Sequence, residues 1–246
     1  MWLNSNYEEQ FRVHIVDTDL FGLCKPSSIL NFLQETAGGH AQVLRIGRDD
    51  IVKEQHGIWM LVRLQYTLNR PIRTNETLTI KTWYCAPKGV FVQRDFEISV
   101  DGVCVGHAWS TWVIGNEETH ALMKAEEFLS GVGASDPALF TKKLGKIRMP
   151  KEMQDAGCRQ AAYSETDING HINNIRYADY ACDTIHLEKL QNQYVCEMQI
   201  TYSAECLAGE RVHMQCTEDG KTYYVRGVDK DGKSHFDIRM ELAEIC

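Results

Sequence analysis

A chain of 246 residues, 43% hydrophobic and 24% charged, can bury one large core or two small ones, and its composition excludes a disordered or fibrous protein. A formal charge of −8 runs against general nucleic-acid binding, which rests on phosphate neutralisation, and against nonspecific attraction to anionic membranes. The longest apolar runs, such as Val90 to Val92 and Trp112 to Ile114, fall far short of the roughly 20 residues that cross a bilayer.

The N-terminus, Met1 to Gln10, carries Glu8 and Glu9 and no cationic, apolar and small-residue cleavage pattern, so a cytoplasmic location is expected. From Pro26, apolar Ile29, Leu30, Phe32, Leu33, Ala37, Ala41 and Leu44 recur at three- and four-residue steps and predict a helix with a wide buried face. Gly38-Gly39 inside it calls for close packing or a break. Alternating and β-branched runs then predict strands over Trp59 to Leu68, Thr77 to Tyr84, Val90 to Val100 and Val103 to Ile114. A connector with a short helical candidate at Ala125 to Leu129 and a basic run follows. Ile175, Ala178, Ala181, Cys182 and Ile185 predict a second helix reaching Leu190, and further strands are expected over Tyr194 to Tyr202, Arg211 to Thr217, Thr222 to Val228 and His235 to Leu242. Asp101-Gly102, Asp219-Gly220 and Asp231-Gly232 separate such runs as hairpin turns.

This order is one plan written twice. Thr18-Asp19-x-x-Gly22 recurs as Thr166-Asp167-x-x-Gly170, each before a helix, and Gln65-Tyr66-Thr67 through Glu76 aligns without a gap to Gln199-Ile200-Thr201 through Glu210. The expected organisation is an N-terminal repeat over 1–120, a connector over 121–158 and a C-terminal repeat over 159–246, of α+β class, each repeat a helix followed by a four- or five-strand antiparallel meander. The copies differ in chemistry. Opposite Asn169 and His171 the first copy places Phe21 and Leu23, and opposite Glu205 it places Pro71. Polar groups confined to one copy assign catalysis to the second half and an apolar, scaffolding role to the first. Taken alone, Asp167 equally suits a loop cap and a lone histidine is more often structural; the asymmetry tilts both towards chemistry.

Thr166-Asp167-x-Asn169-x-His171-x-Asn173-Asn174-x-x-Tyr177, Tyr202-Ser203-Ala204-Glu205-Cys206 and the segment from Gly89 to Arg94-Asp95 resemble elements of the acyl-acyl carrier protein thioesterases of plants and bacteria. The resemblance spans nearly the whole chain. It implies a tandem (double) hotdog fold, two long helices each wrapped by a curved antiparallel sheet, and hydrolysis of fatty acyl-carrier-protein thioesters. With no plastid transit peptide visible, a bacterial member is expected.

On that reading Glu205 takes a proton from water, while Asn169 and the backbone N–H groups near Ile172 to Ile175 polarise the carbonyl. His171 places the water or protonates the leaving thiolate, and Asp167 orients Asn169 or His171. Cys206, with His171 and Asn169, offers a rival papain-like nucleophile; adjacent strand residues face opposite ways, so Glu205 or Cys206 enters the site, not both. Lys142, Lys143, Lys146, Arg148 and Lys151 would dock an acidic acyl carrier protein, or are simply a solvated run. The alternatives are a hotdog lyase that dehydrates hydroxyacyl thioesters and a non-catalytic acyl-binding module. Nine cysteines without paired spacing read as reduced thiols, and neither a metal nor a diffusible cofactor is implied. No nucleic-acid or membrane partner is expected, and a homodimer is compatible with this reading.

Overall fold

The computed structural model describes residues 5–119, 121–129, 132 and 136–245; the extreme N-terminus and Cys246 lie outside them. In chain order it holds β1 (Asn6–Arg12), α1 (Pro26–Val43), α2 (Arg48–Gln55), β2 (Gly57–Leu68), β3 (Thr77–Tyr84), β4 (Phe91–Val100), β5 (Val103–Asn116), β6 (Leu122–Met123) and α3 (Ala125–Phe128). Then come β7 (Gln154–Gln160), α4 (Arg176–Cys182), α5 (Leu187–Leu190), β8 (Gln193–Tyr202), β9 (Arg211–Asp219), β10 (Thr222–Val228) and β11 (Ser234–Glu244). Among the described residues no helix is long and apolar enough to cross a membrane.

The chain forms two compact units that are interleaved in sequence. One takes the residues up to Val13, Asn31–Tyr66 and Asn75–Leu144; the other takes His14–Leu30, Thr67–Thr74 and Gly145–Cys246. The loop carrying Asp19 therefore groups with the C-terminal half.

In the first unit the strands run in the order β1-β3-β4-β5-β2, with β6 alongside β5. In the second they run β7-β9-β10-β11-β8. Numbered within each repeat, both orders are first, third, fourth, fifth, second. Only the last three strands of each repeat form a consecutive meander, and the first strand closes one edge. β1 and β7, which carry few apolar residues and so give little periodic signal, were not among the expected strands. They occupy equivalent places, displaced by the same spacing that separates Asp19 from Asp167.

Local chemistry explains the boundaries. α1 begins at Pro26, whose missing N–H costs nothing in a first turn, and buries Ile29, Leu30, Phe32, Leu33 and Ala37, with Leu44 buried just past its end. It runs unbroken through Gly39, where a Cβ would stand 2.9 Å from the Tyr7 ring, so the Gly-Gly step serves close packing. α2, with charged residues on most of its surface, closes over a cluster of Leu44, Ile46, Ile51, Tyr84, Val92, Ile114 and Phe128.

The second helix is shorter than its apolar pattern suggested. After seven residues in α4, Thr184 and Ile185 tighten the end with bonds to Ala181 and Cys182 carbonyls three residues back, and the Thr184 hydroxyl takes the Ala181 carbonyl as well. His186 is extended, and a separate turn, α5, follows. Two hairpins also refine the expected turns. Asp101 and Gly102 both adopt positive φ, the type I′ requirement, between paired Val100 and Val103. Asp219, by contrast, still pairs with Thr222 as the last residue of β9, and Gly220-Lys221 makes the turn.

Candidate active site

Every sequence-identified catalytic candidate sits in the second unit, on two loops joined by backbone bonds. The first runs from a 3-10 turn at Tyr163–Glu165 to the start of α4. Its Asp167 carboxylate accepts the Asn169 N–H at 2.8 Å, the Asp167 N–H donates to the His171 carbonyl at 2.9 Å and the Gly170 N–H to the Asp167 carbonyl at 3.0 Å. Asp167 thus fixes the turn through the backbone, because an aspartate is short enough to reach the N–H group two residues on. Asp19 does the same in the first copy, accepting the N–H groups of Phe21 and Leu23 at 2.9 and 3.0 Å.

The second loop follows β8. β8 ends at Tyr202, where the expected strand ended, and Ser203 to Cys206 is loop, not the strand expected to turn Glu205 and Cys206 to opposite faces, because the Ser203 and Ala204 N–H groups both converge on the His235 carbonyl and end the ladder. His171 pairs with Leu207 in an isolated antiparallel bridge, and the Ile172 N–H donates to the Cys206 carbonyl at 2.8 Å. Together these contacts bring His171 Nε2 to 3.1 Å from Glu205 Oε2, with the side chains 30% and 57% exposed. The pair faces solvent, where water can reach the carboxylate.

Three of the backbone donors at the helix entry are already committed: Ile172 N–H to Cys206, Asn173 N–H to the Glu165 carbonyl, and Ile175 N–H to Asn173 Oδ1. These three cannot serve an oxyanion without breaking the loop, and the Asn169 side chain lies at an exposed position beside them. Cys206 is fully buried, and burial with the nearby Glu210 carboxylate pushes its thiol up to about 12. A thiol held protonated and out of reach is a poor nucleophile. In chelator-treated protein Cys206→Ser is therefore expected to keep the parent's rate of hydrolysis, and the intact parent to resist iodoacetamide at Cys206 at neutral pH; peptide mapping after alkylation reads the second outcome.

Supporting residues escaped the sequence reading. Glu165 accepts Arg159 Nη2 at 2.6 Å, the Tyr180 hydroxyl at 2.8 Å and the Ala162 N–H at 2.8 Å. Arg159 also lies over the Tyr180 ring at 3.6 Å. Tyr177 of the signature stacks on Phe236 with centroids 4.5 Å apart. His235 Nδ1 is 2.9 Å from the Glu205 carbonyl. Acidic Asp17 opposite Glu165 was a usable signal for the first of these, since Asp17 caps the His14 N–H in the same way; His235 offered none.

A cavity of about 450 Å³ in the same unit is lined by Leu20, Leu23, Ile29 and Pro71 of the stripped copy together with Cys182 and Ile185. None of Asp167, Asn169, His171, Glu205 or Cys206 lines it.

The chain matches the acyl-ACP thioesterase N-terminal domain over residues 4–131 and the acyl-ACP thioesterase C-terminal domain over residues 152–243. It belongs to the acyl-ACP thioesterase family. The oleoyl-acyl carrier protein thioesterase of Coriandrum sativum, a chloroplastic protein, is 25% identical over 221 residues, covering 82% of this chain and 59% of the plant protein. The chain thus spans about three fifths of that relative's length. The crystal structure of an acyl-ACP thioesterase from Bacteroides thetaiotaomicron superposes with a TM-score of 0.88 at 24% identity, covering 97% of this chain and 98% of the other. The 12:0-ACP thioesterase from Umbellularia californica gives 0.83 at 17% identity and 98% coverage of both. At these identities the likeness establishes the fold, which is the tandem hotdog.

Proposed function

We propose that this acyl-ACP thioesterase family member hydrolyses fatty acyl-acyl carrier protein thioesters to free fatty acid and holo carrier protein. The observation that carries the reading is the 3.1 Å approach of His171 to Glu205, made by two loops whose counterparts in the first copy hold Leu23 and Pro71. The hydrogen-bond frame is the same in both copies, yet only one presents an acid–base pair. That excess of chemistry over scaffold supports an enzyme rather than an acyl-binding module. The thioesterase relatives support thioester hydrolysis over dehydration.

In the proposed reaction Glu205 removes a proton from water as its oxygen attacks the thioester carbonyl carbon. The Asn169 amide steadies the oxyanion, and collapse breaks the C–S bond. His171 holds the carboxylate and water in register and returns the proton to the departing thiolate. Asp167 acts on the turn that carries both residues. The repeat over 1–120 supplies scaffold and acyl pocket, and the repeat over 159–246 the chemistry. Thiol release from a panel of acyl-carrier-protein thioesters tests the reading, since conjugated-product absorbance in place of thiol would favour a lyase and ligand protection without turnover a binder.

Lys142, Lys143, Lys146, Arg148 and Lys151 are all exposed and present positive charge in an otherwise acidic chain. We assign them to carrier docking. Reversal of three or more to glutamate should raise KM for the carrier-bound substrate by about tenfold at low salt while leaving a small acyl thioester unaffected. Equal effects on both substrates would remove the docking role.

A further inference from the structure

Directly behind Glu205 three potential ligands converge. Cys206 Sγ, a Glu210 carboxylate oxygen and a ring nitrogen of His235 all lie within 4.8 Å of one another. Cys206 is 0% and His235 4% exposed, whereas Glu210 reaches solvent. We propose that Cys206, Glu210 and His235 bind a zinc-class divalent cation that locks the loop presenting Glu205.

The histidine carries the argument. Its Nδ1 sits 2.9 Å from the Glu205 carbonyl, which can only accept, so Nδ1 bears the proton and the lone pair of the neutral ring is at Nε2. Nε2 is buried and has no hydrogen-bond partner among the described residues. An orphaned buried acceptor is costly, and a metal-ligating histidine has this same arrangement, one nitrogen donating to a backbone carbonyl and the other turned to the ion.

The donor set suits the ion. A thiolate and an imidazole select zinc over magnesium or calcium, and one thiolate with one carboxylate balances a dication. Tetrahedral zinc with bonds of about 2.0–2.3 Å needs the donors to close by about 1 Å, within reach of side-chain rotation, and water completes the fourth position. On binding, the Cys206 thiol proton is released to solvent and its sulfur lone pair forms the bond to the ion.

The site is placed to act on Glu205. Ser203 and Ala204 hang on the His235 carbonyl, Glu205 on the His235 ring, and the Cys206 carbonyl holds Ile172 beside His171. An ion tying residues 206, 210 and 235 fixes both ends of that loop. No short-range spacing announces it, since the ligands come from a loop, the turn after it and β11.

Cobalt reports on it directly. Full-length protein dialysed against chelator and titrated with Co2+ should gain one equivalent of thiolate-to-cobalt charge-transfer absorption with visible bands of tetrahedral intensity, and Zn2+ should displace both. A Cys104→Ser background removes the other grouping of this kind, Glu97, Cys104 and His107. In that background Cys206→Ser must abolish the charge-transfer band. Glu210→Gln, at an exposed position, must weaken Co2+ by at least the roughly 10–100-fold that loss of an outer partner costs. No band at stoichiometric Co2+, a band that survives Cys206→Ser, or unchanged affinity in Glu210→Gln would each overturn the proposal. His235→Gln should behave like Cys206→Ser; should it fail to fold, Glu210→Gln still decides.

Discussion

Glu205→Gln is expected to lower kcat for acyl-carrier-protein hydrolysis by about 10²–10⁴-fold, the span a positioned general base contributes, with little change in KM. The amide keeps the size and one acceptor of the carboxylate, so the loop after β8, which is held by backbone bonds to His235 and Ile172, has no reason to move. His171→Ala should fall in the same range. Because the two side chains meet at 3.1 Å and the proposed mechanism puts them on one proton path, the double variant should be scarcely slower than either single one. Steady-state thiol release measures all three. Near-normal turnover in both single variants would dismiss the pair, and fully multiplicative losses would mean that the two act independently.

The second large effect is on stability and lies in the first unit. Arg94 and Asp95 are neighbours on β4, both buried, and do not rely on each other. Arg94 Nη1 lies 2.9 Å from His40 Nδ1 and 3.2 Å from Thr82 Oγ1, and burial pulls its guanidinium down to about 10. Asp95 accepts the Leu139 N–H at 2.7 Å and Gln93 Nε2 at 2.8 Å, and Gln93 in turn donates to the Phe140 carbonyl. Phe140 stacks on Trp109 with centroids 3.9 Å apart. Asp95 therefore pins the approach to the basic run onto the sheet.

Asp95→Ala removes the acceptor of the part-buried Leu139 N–H and one of the two acceptors of the Gln93 amide, leaves a gap at a buried position, and should cost about 2 kcal/mol in chemical denaturation. The pH dependence distinguishes this from simple loss of packing. Burial raises the Asp95 carboxyl above its ordinary 3.8, so the native state keeps the proton longer than the unfolded chain. Its contribution is fully present below 3.8 and declines as pH rises through the raised native value. Asp95→Asn should flatten that decline, and a slope identical to the parent's would show that Asp95 titrates normally.

How much of this was visible in the sequence depends on which physical force spoke. Strands with alternating or β-branched residues, such as Thr77–Tyr84 and Thr222–Val228, fell where periodicity placed them, because burial of one face writes itself at every second position. β1 and β7 did not, since edge strands such as Gln154–Gln160 face solvent widely and need no apolar signature. The break after Cys182 was hidden because Ile185 continues the apolar stripe, being buried in its own right outside the helix.

The meeting of His171 with Glu205 followed from asking which polar residues the duplication had not copied. The partners of the helix-entry donors were not legible: a sequence displays a helix end, but not that carbonyls of Glu165 and Cys206 already take the N–H groups of Asn173 and Ile172. Cys206 was legible as a candidate by type alone; its burial and its raised thiol are tertiary facts.

The shared frame around Asp19 and Asp167 separates the duty of holding the chain from the choice of side chain. In each loop a carboxylate accepts the main-chain N–H two residues on, and the Asp19 carboxylate takes the Leu23 N–H as well. The same turn therefore carries Phe21 and Leu23 in one copy and Asn169 and His171 in the other. Exchanging apolar and polar groups at these positions leaves the bonds that make the turn untouched, so what the loop presents can change while the loop itself stays in place.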